Sequence, residues 1–149
     1  MKRYILPVML MASALCGCGS KDASEPIITK TDIKVENGQF TPEIMHQLGK
    51  VDDPQVSPDG SRILYGVTYT SIEQNKGNRE LYIMDIDGSN NVKITNTPKS
   101  ESNARWIDDS KIIYMRGGRL YTATLAENAI SQEVEVAGAE GLEGFELSP

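Results

Sequence analysis

Val56-Ser57-Pro58-Asp59-Gly60-Ser61-Arg62-Ile63-Leu64-Tyr65 returns, with Gly60 skipped, as Trp106-Ile107-Asp108-Asp109-Ser110-Lys111-Ile112-Ile113-Tyr114. Each copy runs from an apolar residue through an Asp turn, a Ser and a base to two aliphatics and a Tyr. Leu81-Tyr82 returns in the same way as Leu120-Tyr121, at a spacing shorter by a ten-residue connection and Gly60. Asn75 to Asn78 fall in the long connection and Gly117-Gly118 form the short one. Leu147-Ser148-Pro149 then opens the motif a third time. A period of roughly 40 to 50 residues belongs to propeller blades or helical arrays.

Local patterning selects strands. Ile63, Tyr65, Val67 and Tyr69 alternate with Leu64, Gly66 and Thr68, the period-two signature of a half-buried strand. Around it, Gln55-Val56, Arg79 to Ile86 and Val92 to Thr95 complete four short strands, with Asp87-Gly88-Ser89 as a turn. The second copy supplies Ala104 to Ile107, Lys111 to Arg116, Arg119 to Leu125 and Glu133 to Val136. The expected fold is therefore all-β, an incomplete β-propeller of two four-stranded blades and the start of a third. A blade cannot bury both faces alone and needs neighbours. With a third motif only begun at Pro149, the sequence reads as a C-terminally truncated fragment whose open edges favour aggregation.

Working toward the N-terminus, Phe40-Thr41-Pro42-Glu43 predicts a short helix. Thr41 can cap it, Pro42 loses no needed N–H at the first position, and Glu43 suits the positive end of the dipole. Ile44 and Leu48 share one face, and Gly49 is expected to end the helix. Ile27 to Val35 carries enough β-branched residues to suggest an edge strand. The single His of the chain, His46, sits on the short helix with no acid at ligand spacing and reads as a solvated residue.

The first seventeen residues read as a leader. Lys2 and Arg3 precede an apolar run from Tyr4 to Leu15, shorter than the roughly 20 residues a membrane span needs. Leu15-Cys16-Gly17-Cys18 resembles the lipobox of bacterial lipoproteins, with Cys18 as the modified residue. That resemblance implies cleavage before Cys18, a diacylglyceryl thioether on its sulfur and an acylated N-terminus, anchoring the protein to a bilayer. Residues 18–39 then form a lipidated tether and 40–149 the propeller region. Gly19 after the Cys, in place of Asp, implies outer-membrane sorting, on the periplasmic or the surface face of the cell envelope. No free thiol would remain, which leaves no Cys for a disulfide, a metal or a nucleophile.

Charge narrows the partners. The chain carries 15 basic and 21 acidic residues, net −6, with no cluster of bases. Without the leader it is net −8, an unfavourable surface for nucleic-acid phosphates. No cofactor or metal motif is present. Asp85-Ile86-Asp87-Gly88-Ser89-Asn90 resembles the start of a Ca²⁺ loop but reaches Asn96 where the twelfth-position Glu belongs, so it reads as a hairpin turn. Ser57 and Ser148 lack a G-x-S-x-G frame, and one His cannot complete a catalytic triad here. No catalytic residue is assigned. Trp106 is expected to pack between blades rather than to serve as a ligand platform.

Phe40-Thr41-Pro42-Glu43, Leu48, Val51 and Asp53-Pro54-Gln55-Val56-Ser57-Pro58-Asp59-Gly60 together resemble the start of the propeller in prolyl oligopeptidase family serine peptidases. The branch indicated is the acylaminoacyl-peptidase and dipeptidyl-peptidase-5-like one. Leu81-Tyr82-Ile83-Met84-Asp85, Asp87-Gly88-Ser89, Ile94-Thr95 and Gly141-Leu142-Glu143-Gly144-Phe145 continue the likeness, which covers about 40–149. Asp108-Asp109 departs from it and is expected to weaken the second turn. The resemblance implies a parent whose C-terminal α/β-hydrolase domain carries Ser, Asp and His, while the propeller restricts access to short peptides. None of those catalytic positions falls in this sequence, so the fragment is expected to be catalytically silent. TolB-like periplasmic propellers share the Ser-Pro-Asp-Gly blade, which leaves a non-enzymatic, partner-binding lipoprotein as the competing expectation.

Overall fold

The computed structural model describes residues 26–148. One helix, α1 (Pro42–Gln47), precedes eight strands: β1 (Lys50–Val56), β2 (Arg62–Ser71), β3 (Lys76–Asp85), β4 (Val92–Lys93), β5 (Glu101–Asp108), β6 (Lys111–Arg116), β7 (Arg119–Ala126) and β8 (Ala129–Glu140). They form two antiparallel four-stranded sheets, ordered β1-β2-β3-β4 and β5-β6-β7-β8. Each sheet is a simple meander, and among the described residues the pair does not close. The architecture is that of an incomplete propeller-like β fold.

The expected repeat is reproduced in register. Tyr65 lies opposite Tyr82 and Tyr114 opposite Tyr121. Both pairs stack, with ring centroids 5.7 and 6.0 Å apart. These two cross-strand pairs mark equivalent positions, and they show how the sheets are joined. Leu64, Leu81 and Ile83 of the first sheet share a core with Ala104, Trp106, Ile112, Tyr114, Ala123 and Leu125 of the second. Leu64 and Tyr65 are consecutive strand residues, so their side chains point to opposite faces. The tyrosine face of the first sheet is thus turned away from the second sheet. In the second sheet the same face, carrying Tyr114, is turned into the first. The sheets therefore stack head to tail. Two sheets closing a sandwich would present like faces to each other.

Burial explains the join. Leu64, Leu81, Ile83, Ile112 and Tyr114 have no exposed surface. Each fully buried large apolar side chain contributes about 1.5–3 kcal/mol. Trp106 seals one end of this core, donating its indole N–H to the Gln55 carbonyl at 3.2 Å, with the Arg62 guanidinium 5.3 Å from the ring centroid. It packs between the sheets, as its sequence position suggests.

On the far side of the first sheet, α1 packs against β2. Thr41 caps it, accepting from Ile44 N at 3.4 Å, and Ile44 is buried. Leu48 does not follow Ile44 inward and is exposed. Gly49 plays a different part from the helix stop expected of it. The chain leaves α1 through Leu48 in extended backbone, and Gly49 is small because Tyr69 and Val67 lie against it; a Cβ would come within 2.9 Å of either side chain. His46 is exposed, as expected.

Two further expectations are corrected. Residues 27–35 form no strand. Ile27, Ile28 and Asp32 lie instead beside Gln47 and the tip of the β2–β3 hairpin. Only 72–75 of the longer connection of the first repeat lie outside strands. The rest lengthens β2 and β3, pairing Tyr69 with Asn78 and Ser71 with Lys76, so that Asn78 is a buried strand residue. The tight turn falls at Asn75, which adopts φ 48°. In the second repeat Gly117 and Gly118, with φ 59° and 74°, make the two-residue hairpin that demands positive φ at both positions.

Candidate functional site

The chemistry-bearing side chains of the described residues converge along the seam between the two sheets. It begins with a backbone irregularity that recurs. β1 slips register between Asp52 and Gln55, and β5 between Ser102 and Arg105. Asp53 and Asn103, equivalent in the repeat, occupy these bulges with φ 48° and 51°. A bulge turns an otherwise in-line side chain out of the strand. Asp53 thereby reaches across to β5 and receives Arg105 at 2.8 Å, while Asn103 donates its amide to the Phe145 carbonyl at 2.8 Å. In each repeat the bulge residue grips the segment that follows.

Arg79 completes the inner seam. Its guanidinium lies flat over Gly66, where a Cβ would meet it at 2.1 Å. From there it pairs with Asp52 at 2.7 Å and donates to the Glu101 carbonyl at 2.8 Å. The network of Asp52, Asp53, Arg79 and Arg105 has two charges of each sign and is partly open to solvent. Such pairs contribute about 0–1 kcal/mol each; their value here is to fix the position of β5 against β1.

Deeper in the seam lie two carboxyl groups that sequence patterning did not single out. Glu80 is 1% exposed and Glu101 is fully buried. Thr95 Oγ1 stands between them, 2.7 Å from Glu80 Oε2 and 3.1 Å from Glu101 Oε2. Glu80 Oε1 accepts the Thr97 N–H and the Asn78 side-chain amide, both at 3.1 Å. Thr97 Oγ1 is 2.8 Å from Glu101 Oε1, and Arg116 lies 3.7 Å from the same oxygen. Burial pushes the Glu101 carboxyl up to about 7, with the Glu80 charge adding to the shift and the two threonine hydrogen bonds opposing it. The one legible signal was Glu80 itself, a charge set among the apolar positions of β3.

At the opposite end of the sheets, the serines and aspartates of the repeat are turn residues. Ser57 is buried, donates to Asp59 Oδ1 at 2.6 Å and accepts the Arg62 N–H at 2.9 Å. Asp59 also accepts the Ser61 N–H. The Ser57 hydrogen bond, then those from Ser61, hold its carboxyl down at about 2. The second turn was expected to be weak and is not. Asp108 accepts the Ser110 N–H at 2.8 Å, taking over the part of Asp59 one position earlier. Asp109 is freed to accept the Asp59 N–H at 2.9 Å, tying the two turns together. Asp85 binds Asn90 and Ser89, and Asp87 caps the Ser89 N–H, so this segment is a hairpin turn. Among the described residues no group of three or more His, Cys, Asp or Glu is placed to hold a metal ion. No helix among them is long and apolar enough to cross a membrane. Cys18, the expected lipidation site, and Cys16 lie outside the described residues.

No protein-family profile matches the chain. Among curated proteins, it is 32% identical over 113 residues, 74% of its own length, to dipeptidyl-peptidase 5 of Porphyromonas gingivalis. It is 28% identical over 116 residues to dipeptidyl-peptidase 5 of Porphyromonas endodontalis. The chain spans about 16% of the length of these relatives. About three quarters of this sequence is thus homologous to one stretch of two much longer proteins named as dipeptidyl peptidases.

Proposed function

We propose that this chain is the anchor and the first two propeller blades of a cell-envelope serine peptidase of the prolyl oligopeptidase family, in its dipeptidyl-peptidase-5-like branch. The observation that carries the reading is the homology to dipeptidyl-peptidase 5 over most of the chain. The head-to-tail stacking of two equivalent meanders supports it, since repeated addition of the same step generates a ring of blades. In this reading the hydrolase chemistry belongs to a C-terminal domain outside these residues. The blades wall the path by which short peptides reach it and limit the length admitted. Cys18 carries the lipid that holds the protein at the outer membrane.

The test has three arms. Full-length protein from the native gene is expected to label with a serine-hydrolase fluorophosphonate probe and to release dipeptides from short peptide substrates, while residues 1–149 do neither. A native gene that encodes only further blades and gives an unlabelled protein would favour the TolB-like, partner-binding alternative. Cys18→Ala is expected to abolish incorporation of radiolabelled fatty acid and to shift the protein from the membrane to the soluble fraction. Residues 19–149 alone are expected to be oligomeric or marginally stable, because the outer sheet edges remain unpaired. A monomer with a sharp, concentration-independent melt would contradict this.

A further inference from the structure

The proton count around Thr95 leaves one bond unaccounted for. A threonine hydroxyl offers one proton and two acceptor lone pairs. Thr95 Oγ1 accepts the Leu81 N–H at 2.8 Å, and it lies within hydrogen-bond distance of Glu80 Oε2 and Glu101 Oε2 together. Its single proton serves one carboxylate. The other contact is a hydrogen bond only if that carboxyl carries a proton of its own. Thr97 Oγ1 repeats the problem, placed 2.7 Å from the Lys99 carbonyl and 2.8 Å from Glu101 Oε1.

The surroundings decide which carboxyl holds the proton. Two N–H donors, from Asn78 and Thr97, converge on Glu80 Oε1. Glu101 receives no backbone N–H and has no exposed surface. The charged and titratable groups about it are Glu80 on β3, Arg116 on β6 at 3.7 Å, and the neutral Tyr114 phenol on β6. Arg116 is itself engaged by Glu133 of β8 at 2.7 Å, and Arg79, held by Asp52, binds only the Glu101 backbone carbonyl. The cation nearest Glu101 is thus spent on a closer partner.

We propose that Glu101 is a neutral acid in the folded chain, sharing a proton with Glu80 through Thr95, and that its release loosens the linker joining the two sheets. Thr95, Thr97 and Ser100 all lie in that linker between β4 and β5. They fasten it to Glu80, Asn78 and Arg79 of the first sheet and to Glu101 of the second. Ionising Glu101 places two like charges across one hydroxyl in a buried site, where the linker joins the sheets. The proton catch is independent of the peptidase reading and would hold for any parent protein.

The sign follows from the direction of the shift. The folded chain retains a proton that the unfolded chain has released above the ordinary carboxylate range. The contribution of Glu101 to stability is therefore fully present below that range, is lost as pH rises toward about 7, and is level above it. Two measurements on the 149-residue chain test this. Glutamate carboxyl carbons followed by NMR are expected to show one group titrating near neutrality and losing that behaviour in Glu101→Gln. If every glutamate of the wild type titrates in the ordinary range, the proposal fails. Melting temperature is expected to drop by several degrees between about pH 5 and about pH 8 in the wild type, and to drop less in Glu101→Gln, which keeps a donor toward Thr95 and carries no charge. Equal pH dependence in the two proteins overturns the catch. The wild-type titration decides the matter even if the variant does not fold.

Discussion

The two sheets repeat each other strand for strand, yet they close their first turns by different means. The first uses Pro58-Asp59-Gly60, with Asp59 receiving the Ser61 N–H. The second has no proline or glycine there, and Asp108 receives the Ser110 N–H one position earlier in the repeat. What the repeat preserves is a carboxylate two residues before a serine N–H, a relation that physics needs and alignment misplaces. The same relation recurs at Asp87 and Ser89. The sheets differ also in what their first strands contribute to the core. Trp106 is buried between the sheets, whereas its equivalent Val56 is 57% exposed. One repeat is the receiver in the stack and the other the donor.

The largest effect should come from attacking that asymmetry. Trp106→Ala is expected to cost about 3–5 kcal/mol, whereas Val56→Ala stays within about 0.5 kcal/mol, as read from denaturant midpoints. Similar losses at both sites would mean that the two strands are equally buried and the stacking is not head to tail. Gly66→Ala should come next, at about 1–3 kcal/mol, because its methyl group displaces the Arg79 guanidinium held by Asp52 and the Glu101 carbonyl. Its melt should also lose part of the salt dependence shown by the wild type.

A smaller effect sharpens the comparison of turns. The Asp59 and Asp108 carboxyls are both held below their ordinary values, Asp59 by Ser57 and Ser61 and Asp108 by Ser110. Each therefore contributes stability that is present above the ordinary carboxylate range and is lost as pH falls, for Asp59 down through about 2. Asp59→Asn and Asp108→Asn should each flatten the acid limb of the melting profile. An unchanged limb in Asp108→Asn would show that the second turn does not reproduce the first. The smallest change is expected from replacing 72–75 with two glycines, which gives the first sheet a two-residue hairpin like that of the second. Shortening a loop alters closure entropy slowly, so stability should move by less than about 1 kcal/mol.

Much of this architecture was legible because it rests on local pattern. The strand alternation around Tyr65, the Gly117-Gly118 hairpin, the Thr41 cap and the interior position of Trp106 all follow from residues close in sequence. Features set by distant neighbours were not. Gly49 is small because of Tyr69, Asn78 is buried because the hairpin lengthens, and residues 27–35 lie along Gln47 and the β2–β3 hairpin tip instead of pairing with a strand. The bulges at Asp53 and Asn103 depend on contacts roughly fifty and forty residues away. The acidic pair in the seam is the extreme case. Glu101 gave no signal of its own, since its character depends on Glu80, Thr95 and Arg116, which three separate elements bring to it.

The bulge residues give the molecule a built-in direction of growth. Asp53 hooks forward onto Arg105, and Asn103 hooks forward onto Phe145, so each of the two described units carries a fastening for the segment that follows it. A gene that duplicates such a unit gains a ready-made coupling with it. Copies can be appended at the trailing end without remodelling those already in place.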